Sequence, residues 1–540
     1  MTTLASLAKN PIWAIGHSAL DQDGVFWKGS LLFNGSHVFT VESRNDLASQ
    51  MDELLALSTS IVIPVEANSF AIALPEHYSM ALDNVVDLGV VIQATTHTWS
   101  KDRRSKTPIV SILAEFLRAS TEGKWTIPEC RAILRGDLHD KEPSAIADTL
   151  NKMLTLVIES AQSEGEEQRI LQFEIPTSKA LLRASQSKIR FDSVAAKSKL
   201  EEISNELQSI QDEFLIDHGI DLEQVRQSAK YRLALLNREG KKDTAEDDLG
   251  LFPFLEICSY SSSERLKNIA KHWKLNRRVQ SLRTIAFSPP NGLHPIFDPI
   301  GTATGRVLMR EPNLQWLAKE DRKYLLPGEG RSLIYIDYEC FEPTILAIQS
   351  KDQALLCACK DDLYSDIAEK LGLPVGLKSR KFTKVFLLCL LYGRSQRRLT
   401  EDLAEFASLE YSEANDRHNK LRDWMSLSFE FQKKLSKSIA AGEKATTTEG
   451  NFRVLHKDRA YVALNHFLQG TASLIFKKAL TNTLARLPDA QLLAPMHDAL
   501  LLSVPQSNEI SSVAIVKECM EAAAITVIGE PITTAKVDWA

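Results

Sequence analysis

Leu492-Leu-Ala-Pro-Met-His497-Asp498-Ala-Leu-Leu-Leu-Ser-Val504 is two apolar runs joined by His-Asp, and it reads as a strand, a tight turn and a second strand. Upstream, Ser332-Leu-Ile-Tyr-Ile-Asp337-Tyr338 is a β-rich run ending in a carboxylate. If these strands are neighbours in one sheet, Asp337 and Asp498 converge on one spot. Paired carboxylates of this kind can hold two Mg²⁺ ions, with Mn²⁺ a possible substitute, and such ions clamp the attacking and leaving oxygens in phosphoryl transfer. Taken alone, a strand-end aspartate is more often a turn former or a helix cap.

A third segment bears on the choice. In Ser379-Arg-Lys-Phe-Thr-Lys-Val-Phe-Leu-Leu-Cys-Leu-Leu-Tyr-Gly393, residues Arg380, Lys384, Leu388 and Tyr392 recur every four positions. On a helix that spacing stacks them along one slowly drifting face. The face offers two cations suited to a triphosphate, then an apolar and an aromatic group suited to a nucleobase, beside Gly393. The plainer reading of the same residues is a basic, solvated first half and a buried second half.

The rest of the chain sets the frame. At 540 residues, with 44% hydrophobic and 25% charged residues, it has an ordinary globular composition and is too long for a single core. A net charge of −6 supplies no global positive field, so a nucleic acid would have to be gripped by local basic patches. The seven cysteines show no zinc-type spacing and read as reduced thiols of a cytosolic protein. No signal peptide is recognisable, and no apolar run reaches the ~20 residues of a membrane span.

Short apolar runs at Pro11–Ile15, Ser30–Phe33, Ser60–Val65 and Val85–Ile92, with a helical stretch at Leu47–Leu57, predict a mixed α/β region. Helix follows to about residue 161, and the acidic stretch Gln162–Gln168 is the best domain boundary. Leu200, Ile203, Leu207, Ile210 and Phe214 mark an amphipathic helix from Val194 to Phe214. Glu239–Asp248 reads as a charged loop, and there are no internal repeats.

These motifs resemble those of family A DNA polymerases, the class of bacterial DNA polymerase I. Asp337-Tyr-Glu-Cys-Phe-Glu342 is similar to the family's Asp-Tyr-Ser-Gln-Ile-Glu. Arg380-x₃-Lys384-x₃-Leu388-x₃-Tyr392-Gly393 is similar to Arg-x₃-Lys-x₃-Phe-x₃-Tyr-Gly, and His497-Asp498 to His-Asp-Glu. Thr302-Ala-Thr-Gly-Arg306 with Glu311-Pro-Asn313-Leu-Gln315, and Asn465-His-Phe-Leu-Gln469-Gly-Thr-Ala472, match two further motifs. Five motifs stand in the family's order from residue 302 to residue 498.

The resemblance implies an α/β and α+β multidomain fold. A right-hand polymerase at 166–540 would have a short thumb (about 194–272), a palm (about 273–350 and 455–540) and fingers (about 351–454). An RNase H-like, exonuclease-like domain would occupy 1–165, with no 5′-nuclease domain. The activity implied is template-directed addition of dNTPs to a primer 3′ end on primer–template DNA, in a bacterial cytosol, with the gene bacterial, plasmid or phage. No processivity partner can be named.

Roles carry over residue by residue. Asp337 and Asp498 would hold the metals. Arg380 and Lys384 would bind the triphosphate, with Lys384 the proton donor to pyrophosphate. Tyr392 and Gly393 would lie beside the nascent pair, with Leu388 facing the incoming sugar. Glu342 would close off the space of a ribose 2′-hydroxyl. Arg306, Asn313, Gln315, Asn465 and Gln469 would contact the primer–template, and His497 would sit near the primer end.

Departures from the pattern are Leu388 in place of an aromatic, Ala499 in place of glutamate, Thr344 in place of arginine, and Glu339-Cys340 in place of Ser-Gln. Both aspartates and the lysine remain, so activity is expected to survive. In the first N-terminal strand there is no Asp-x-Glu, and Asp21, Asp23, Glu66, Asp83 and Asp87 do not rebuild a two-metal cage, so a degenerate, inactive exonuclease fold is expected. Lys267, Lys271, Lys274, Arg277 and Arg278 are placed to track duplex phosphates, or else form a solvated helix face. The competing functions are a single-subunit RNA polymerase or primase-like enzyme, against which Glu342 argues, and a non-catalytic DNA-binding replication accessory.

Overall fold

The computed structural model describes residues 3–9, 11–21, 24–33, 37–56, 60–97, 109–138, 141–238, 255, 258 and 263–539. The loop expected at Glu239–Asp248 lies outside them, as does Asp23. The chain forms two compact units. One comprises Met1–Ser187, His294–Arg310 and Glu329–Asp538, the other Lys188–Leu293, Glu311–Gly328 and Trp539–Ala540.

The first unit opens with a five-stranded sheet of β1 (Ile12–Asp21), β2 (Gly24–Phe33), β3 (His37–Val41), β4 (Ile61–Ile63) and β5 (Val85–Asp87). The strands lie in the order β3-β2-β1-β4-β5, antiparallel among β1 to β3 and parallel from β1 through β4 to β5. Alternation along β1 sends Trp13 and Ile15 into one apolar cluster and Ile12 and Ala14 into another. Both faces are covered by helices, which is why the strand lacks the polar–apolar alternation of a one-sided sheet.

Three expectations need correction. The run Val85–Ile92 is strand only to Asp87, whose carboxylate accepts from the Gly89 amide and caps the helix Leu88–Thr96. Likewise only Ile61–Ile63 of the run Ser60–Val65 is strand. The acidic stretch at 162–168 is no solvated linker: Glu166 is fully buried on Arg169, and helical turns run on through Ile175–Gln186 within the same unit.

The unit's second sheet has four antiparallel strands in the order Gln491–Met496, Ala499–Pro505, Arg331–Tyr338, Thr534–Lys536. Ala499 to Val504 are all buried, so this strand too is apolar apart from Ser503. The helices Glu509–Ile528 and Ala463–Arg486 pack on each other, and the first also packs on Arg331–Tyr338.

In the second unit the helices Ser193–His218 and Glu264–Ala286 lie side by side. Leu200, Ile203, Ile210 and Phe214 are buried as their spacing predicts. Glu264–Ala286 is one continuous helix and the unit reaches Leu293, so a thumb boundary at 272 cuts through an element. Arg278 grips Asp321 with two bonds of 2.8 and 2.6 Å, Lys271 pairs with Glu206 at 2.8 Å, and Lys267 pairs with Glu264 at 2.6 Å. Arg277 lies over the Trp316 ring at 5.1 Å. Most of the cations expected on phosphates therefore have partners within the fold.

Candidate active site

The strand Arg331–Tyr338 and the hairpin are hydrogen-bonded neighbours. Asp337 pairs in register with Ala499, which places Asp498 one residue beyond it in the two-residue turn. His497 takes a φ of 59°, the left-handed first position that suits a tight hairpin between right-twisted strands. The Tyr338 amide donates to the Asp498 carbonyl at 3.2 Å, fixing the turn against the strand end.

Burial and then the Asp498 charge push the Asp337 carboxyl up to about 7, against a smaller opposing effect of Lys384. Burial raises Asp498 as well, opposed by Arg306 and Lys384. Burial lowers the His497 imidazole. Asp337 Oδ1 is buried without a hydrogen-bond partner. Two crowded carboxylates, both raised, with an orphaned oxygen on Asp337 fit a divalent cation, whose charge would favour their ionised form. Among the described residues no group of three or more His, Cys, Asp and Glu side chains could hold a metal.

The helix Leu377–Leu391 carries the second part of the site. Thr383, Phe386, Leu387, Leu390 and Leu391 are buried along one side, while Arg380, Lys384 and Tyr392 are exposed and Leu388 is half-buried. The open stripe thus runs the whole helix, not only its basic half. Arg380 Nε donates to both Asp362 oxygens at 3.1 Å, and its guanidinium and the Lys384 ammonium lie 5.3 and 5.8 Å from the Tyr364 ring. Gly393 has φ 86°, and a Cβ there would meet Tyr461 at 2.6 Å, so both conformation and space demand glycine.

Glu342 stands in the first turn of the helix Phe341–Ser350, buried, with Arg306 Nη2 donating to Oε1 at 2.5 Å. Burial raises its carboxyl, opposed chiefly by Arg306. The Tyr392 hydroxyl neighbours Glu342 and Gln469, and desolvation with the nearby carboxylate pushes it up to about 12. Gln469 accepts from Thr304 at 3.4 Å, and Asn465 Oδ1, one turn earlier on Ala463–Arg486, is buried and unpartnered. Thr344 bonds back to the Cys340 carbonyl at 2.9 Å and stays buried.

Asp337, Asp498, Lys384, Glu342, Arg306, Tyr392 and Gln469 are therefore gathered around one centre. Asn313 and Gln315 fall in the second unit, where Asn313 precedes the short 3₁₀ turn Leu314–Trp316. The Arg306–Glu342 pair was not foreseen, since nothing in a sequence marks an ion pair across 36 residues.

A two-carboxylate centre at a sheet end, faced by a basic helix stripe, has the charge arrangement that phosphoryl transfer requires. The sequence model of DNA polymerase family A matches residues 189–535, and the chain belongs to that family. It is 27% identical over 402 residues to the thermostable DNA polymerase I of Thermus thermophilus, covering 67% of this chain and 47% of that protein. With DNA polymerase I of Borreliella burgdorferi it shares 24% identity over 405 residues, covering 70% of this chain and 44% of the relative. The chain thus spans about half the length of the curated relatives it matches. Its fold is similar to that of the polymerase domain of Pol1 from M. smegmatis, solved with DNA primer-template and dNTP. The TM-score is 0.75 and the identity 18%, over 99% of this chain and 97% of that one. Among the described residues no helix is long and apolar enough to cross a membrane.

Proposed function

We propose that the chain is a DNA-directed DNA polymerase, adding dNTPs to a primer 3′ end on a DNA template in the cytoplasm of a bacterial host. The observation that carries this reading is the convergence of Asp337 and Asp498 at one sheet end, with the Lys384 ammonium acting on both. Family A polymerases use divalent metal ions, and here Asp337 and Asp498 would hold two Mg²⁺ or Mn²⁺. Bound there, the ions supply charge stabilisation to the attacking and departing oxygens.

The chain's own groups do the rest. Arg380, released from Asp362, and Lys384 bind the triphosphate as charge-assisted donors. The primer 3′ hydroxyl loses its proton to solvent and its oxygen bonds to the α-phosphorus, the bond to the bridging oxygen breaks, and Lys384 gives its proton to the departing pyrophosphate. Tyr392 and Leu388 pack on the incoming nucleotide beside Gly393. Glu342, held by Arg306, excludes a 2′-hydroxyl, and this favours DNA over RNA synthesis. Asn465, Gln469, Asn313, Gln315 and His497 meet the primer–template.

For residues 1–165 the reading is an exonuclease-like domain without nuclease activity, since Asp87 serves as a helix cap and Asp83 pairs with Arg183.

The test is extension of a labelled primer–template in Mg²⁺ with dNTPs or NTPs, alongside Asp337→Ala and Asp498→Ala. Template-ordered dNTP addition, abolished in both variants, supports the proposal. Preference for NTPs would make the enzyme an RNA polymerase. Duplex binding without extension would leave a non-catalytic DNA-binding protein.

A further inference from the structure

The helix Ala463–Arg486 bears four polar residues four positions apart: Asn465, Gln469, Ser473 and Lys477. That spacing sets them in one slowly drifting stripe. The first two belong to the site already described. Ser473 Oγ donates to the Gly305 carbonyl at 2.6 Å. Lys477, fully buried, donates to Glu174 at 2.5 Å, and Glu174 is fully buried too.

From Glu174 the network continues inward. Arg169 Nη1 reaches Glu174 at 2.6 Å, and Arg169 Nε reaches Glu166 at 2.5 Å. The Glu166 oxygens accept from the Asn451 and Phe452 backbone amides at 3.2 and 3.0 Å, and the Asn451 side-chain nitrogen donates to the Ala303 carbonyl at 3.5 Å. This buried chain of charges therefore flanks one turn, Thr302–Arg306. Ser473 bonds the turn from the helix with the Lys477 ammonium beside Gly305, and Asn451 bonds it from the hairpin of Ala445–Thr447 and Gly450–Arg453.

At the centre of the turn Gly305 has φ 79°, and a Cβ placed there would lie 3.6 to 3.7 Å from Ser473 Oγ, Asn451 Nδ2 and Lys477 Nζ. The next residue, Arg306, holds Glu342. Buried ion pairs are weak contributors to net stability, because desolvation cancels most of the attraction, and apolar replacements often fold as well. Two interlocked pairs buried this deeply, set beside one turn, are better explained by the geometry they impose.

We propose that the buried network Glu166–Arg169–Glu174–Lys477 positions the Thr302–Arg306 turn, so that Arg306 is held on Glu342. Glu174, Lys477 and Ser473 are then positioning residues for sugar selection. The sugar-selection part rests on the polymerase reading; the positioning part does not.

The experiment separates the two. Glu174→Met/Lys477→Met removes one charge of each sign and keeps volume, and Ser473→Ala removes one bond at little cost to folding. A double-mutant cycle in thermal stability with Arg306→Ala and Glu342→Ala measures how tightly those two residues are coupled. The coupling is expected in the wild-type background and lost with Glu174→Met/Lys477→Met. In primer extension, that double variant and Ser473→Ala are expected to raise the dNTP KM about tenfold with kcat changed far less, and to admit NTPs more readily. An unchanged coupling in a double variant that melts like wild type overturns the proposal, whatever the activity. Intact coupling loss with wild-type NTP discrimination confines the network to folding geometry and overturns its role in sugar selection. If the wild type extends no primer, the polymerase reading falls and the cycle alone decides.

Discussion

Asp337 ends one strand and Asp498 lies in the turn that leads into its neighbour, one residue out of register, with Asp337 paired with Ala499 and the Asp498 carbonyl bonded to the next amide, Tyr338, at 3.2 Å. This backbone arrangement, not the side chains themselves, forces two carboxylates together, a crowding that a divalent cation would relieve.

The first prediction concerns pH. Asp337 is pushed up to about 7 and Asp498 is raised, both above their unfolded values near 3.8. Between those limits the folded protein binds more protons than the unfolded chain. The pair's contribution is therefore fully present below about pH 4 and lost as pH climbs through 7. Without divalent metal, Asp337→Asn should be more stable than wild type at pH 8, on the order of 1–3 kcal/mol, with the gain gone below about pH 4. Mg²⁺ should raise the melting temperature of the wild type at pH 8 but not of Asp337→Asn or Asp498→Asn. Thermal melts across pH with and without Mg²⁺ check both; a pH-independent difference would contradict the crowding.

The second concerns the Arg306–Glu342 pair. Glu342→Ala opens the space beside Arg306 and should raise NTP incorporation relative to dNTP on the order of 10–100-fold. Arg306→Ala leaves Glu342 buried and unpaired, which is costly. It should lower dNTP use and stability together. Single-nucleotide incorporation kinetics and melting curves of the two variants give the answer, and equal NTP discrimination in Glu342→Ala and wild type would remove the gate.

The sequence carried the active centre further than the scaffold. Asp337, Lys384 and Asp498 were legible because each sits in a short local pattern: a strand end, a four-residue helical repeat, a two-residue turn. Asp87 was read as part of a run continuing to Ile92, because an apolar stretch hides the change of period where a capping carboxylate starts a helix. Glu166 was read as part of a domain boundary for the opposite reason: its neighbours are acidic and polar, and only the fold shows that it is buried on Arg169 and two distant amides. Lys477 had one available signal, the four-residue repeat of polar positions at 465, 469, 473 and 477. Its partner, Glu174, lies about 300 residues away in sequence.

The third prediction concerns residues 1–165. The purified protein with a labelled primer, Mg²⁺ or Mn²⁺ and no nucleotides should leave the primer intact. Asp87 is half-buried and caps a helix through the Gly89 amide, so Asp87→Ala should cost about 1–2 kcal/mol of stability and change no nuclease signal. Metal-dependent shortening of the primer, abolished by Asp87→Ala, would show that the domain cuts after all.

The fourth separates DNA-binding cations from structural ones on the helix Glu264–Ala286. Arg278 is spent on Asp321 through two short bonds, so Arg278→Ala should lower stability and leave the salt dependence of duplex binding as it was. Lys274 is exposed on the same helix. If it neutralises a phosphate, Lys274→Ala weakens binding to any sequence and reduces the slope of log K against log salt by about 1. Fluorescence anisotropy with a primer–template at several salt concentrations reads both slopes. A reduced slope in Arg278→Ala would mean that Asp321 gives up its partner to DNA, and an unchanged slope in Lys274→Ala would make that lysine part of a solvated face.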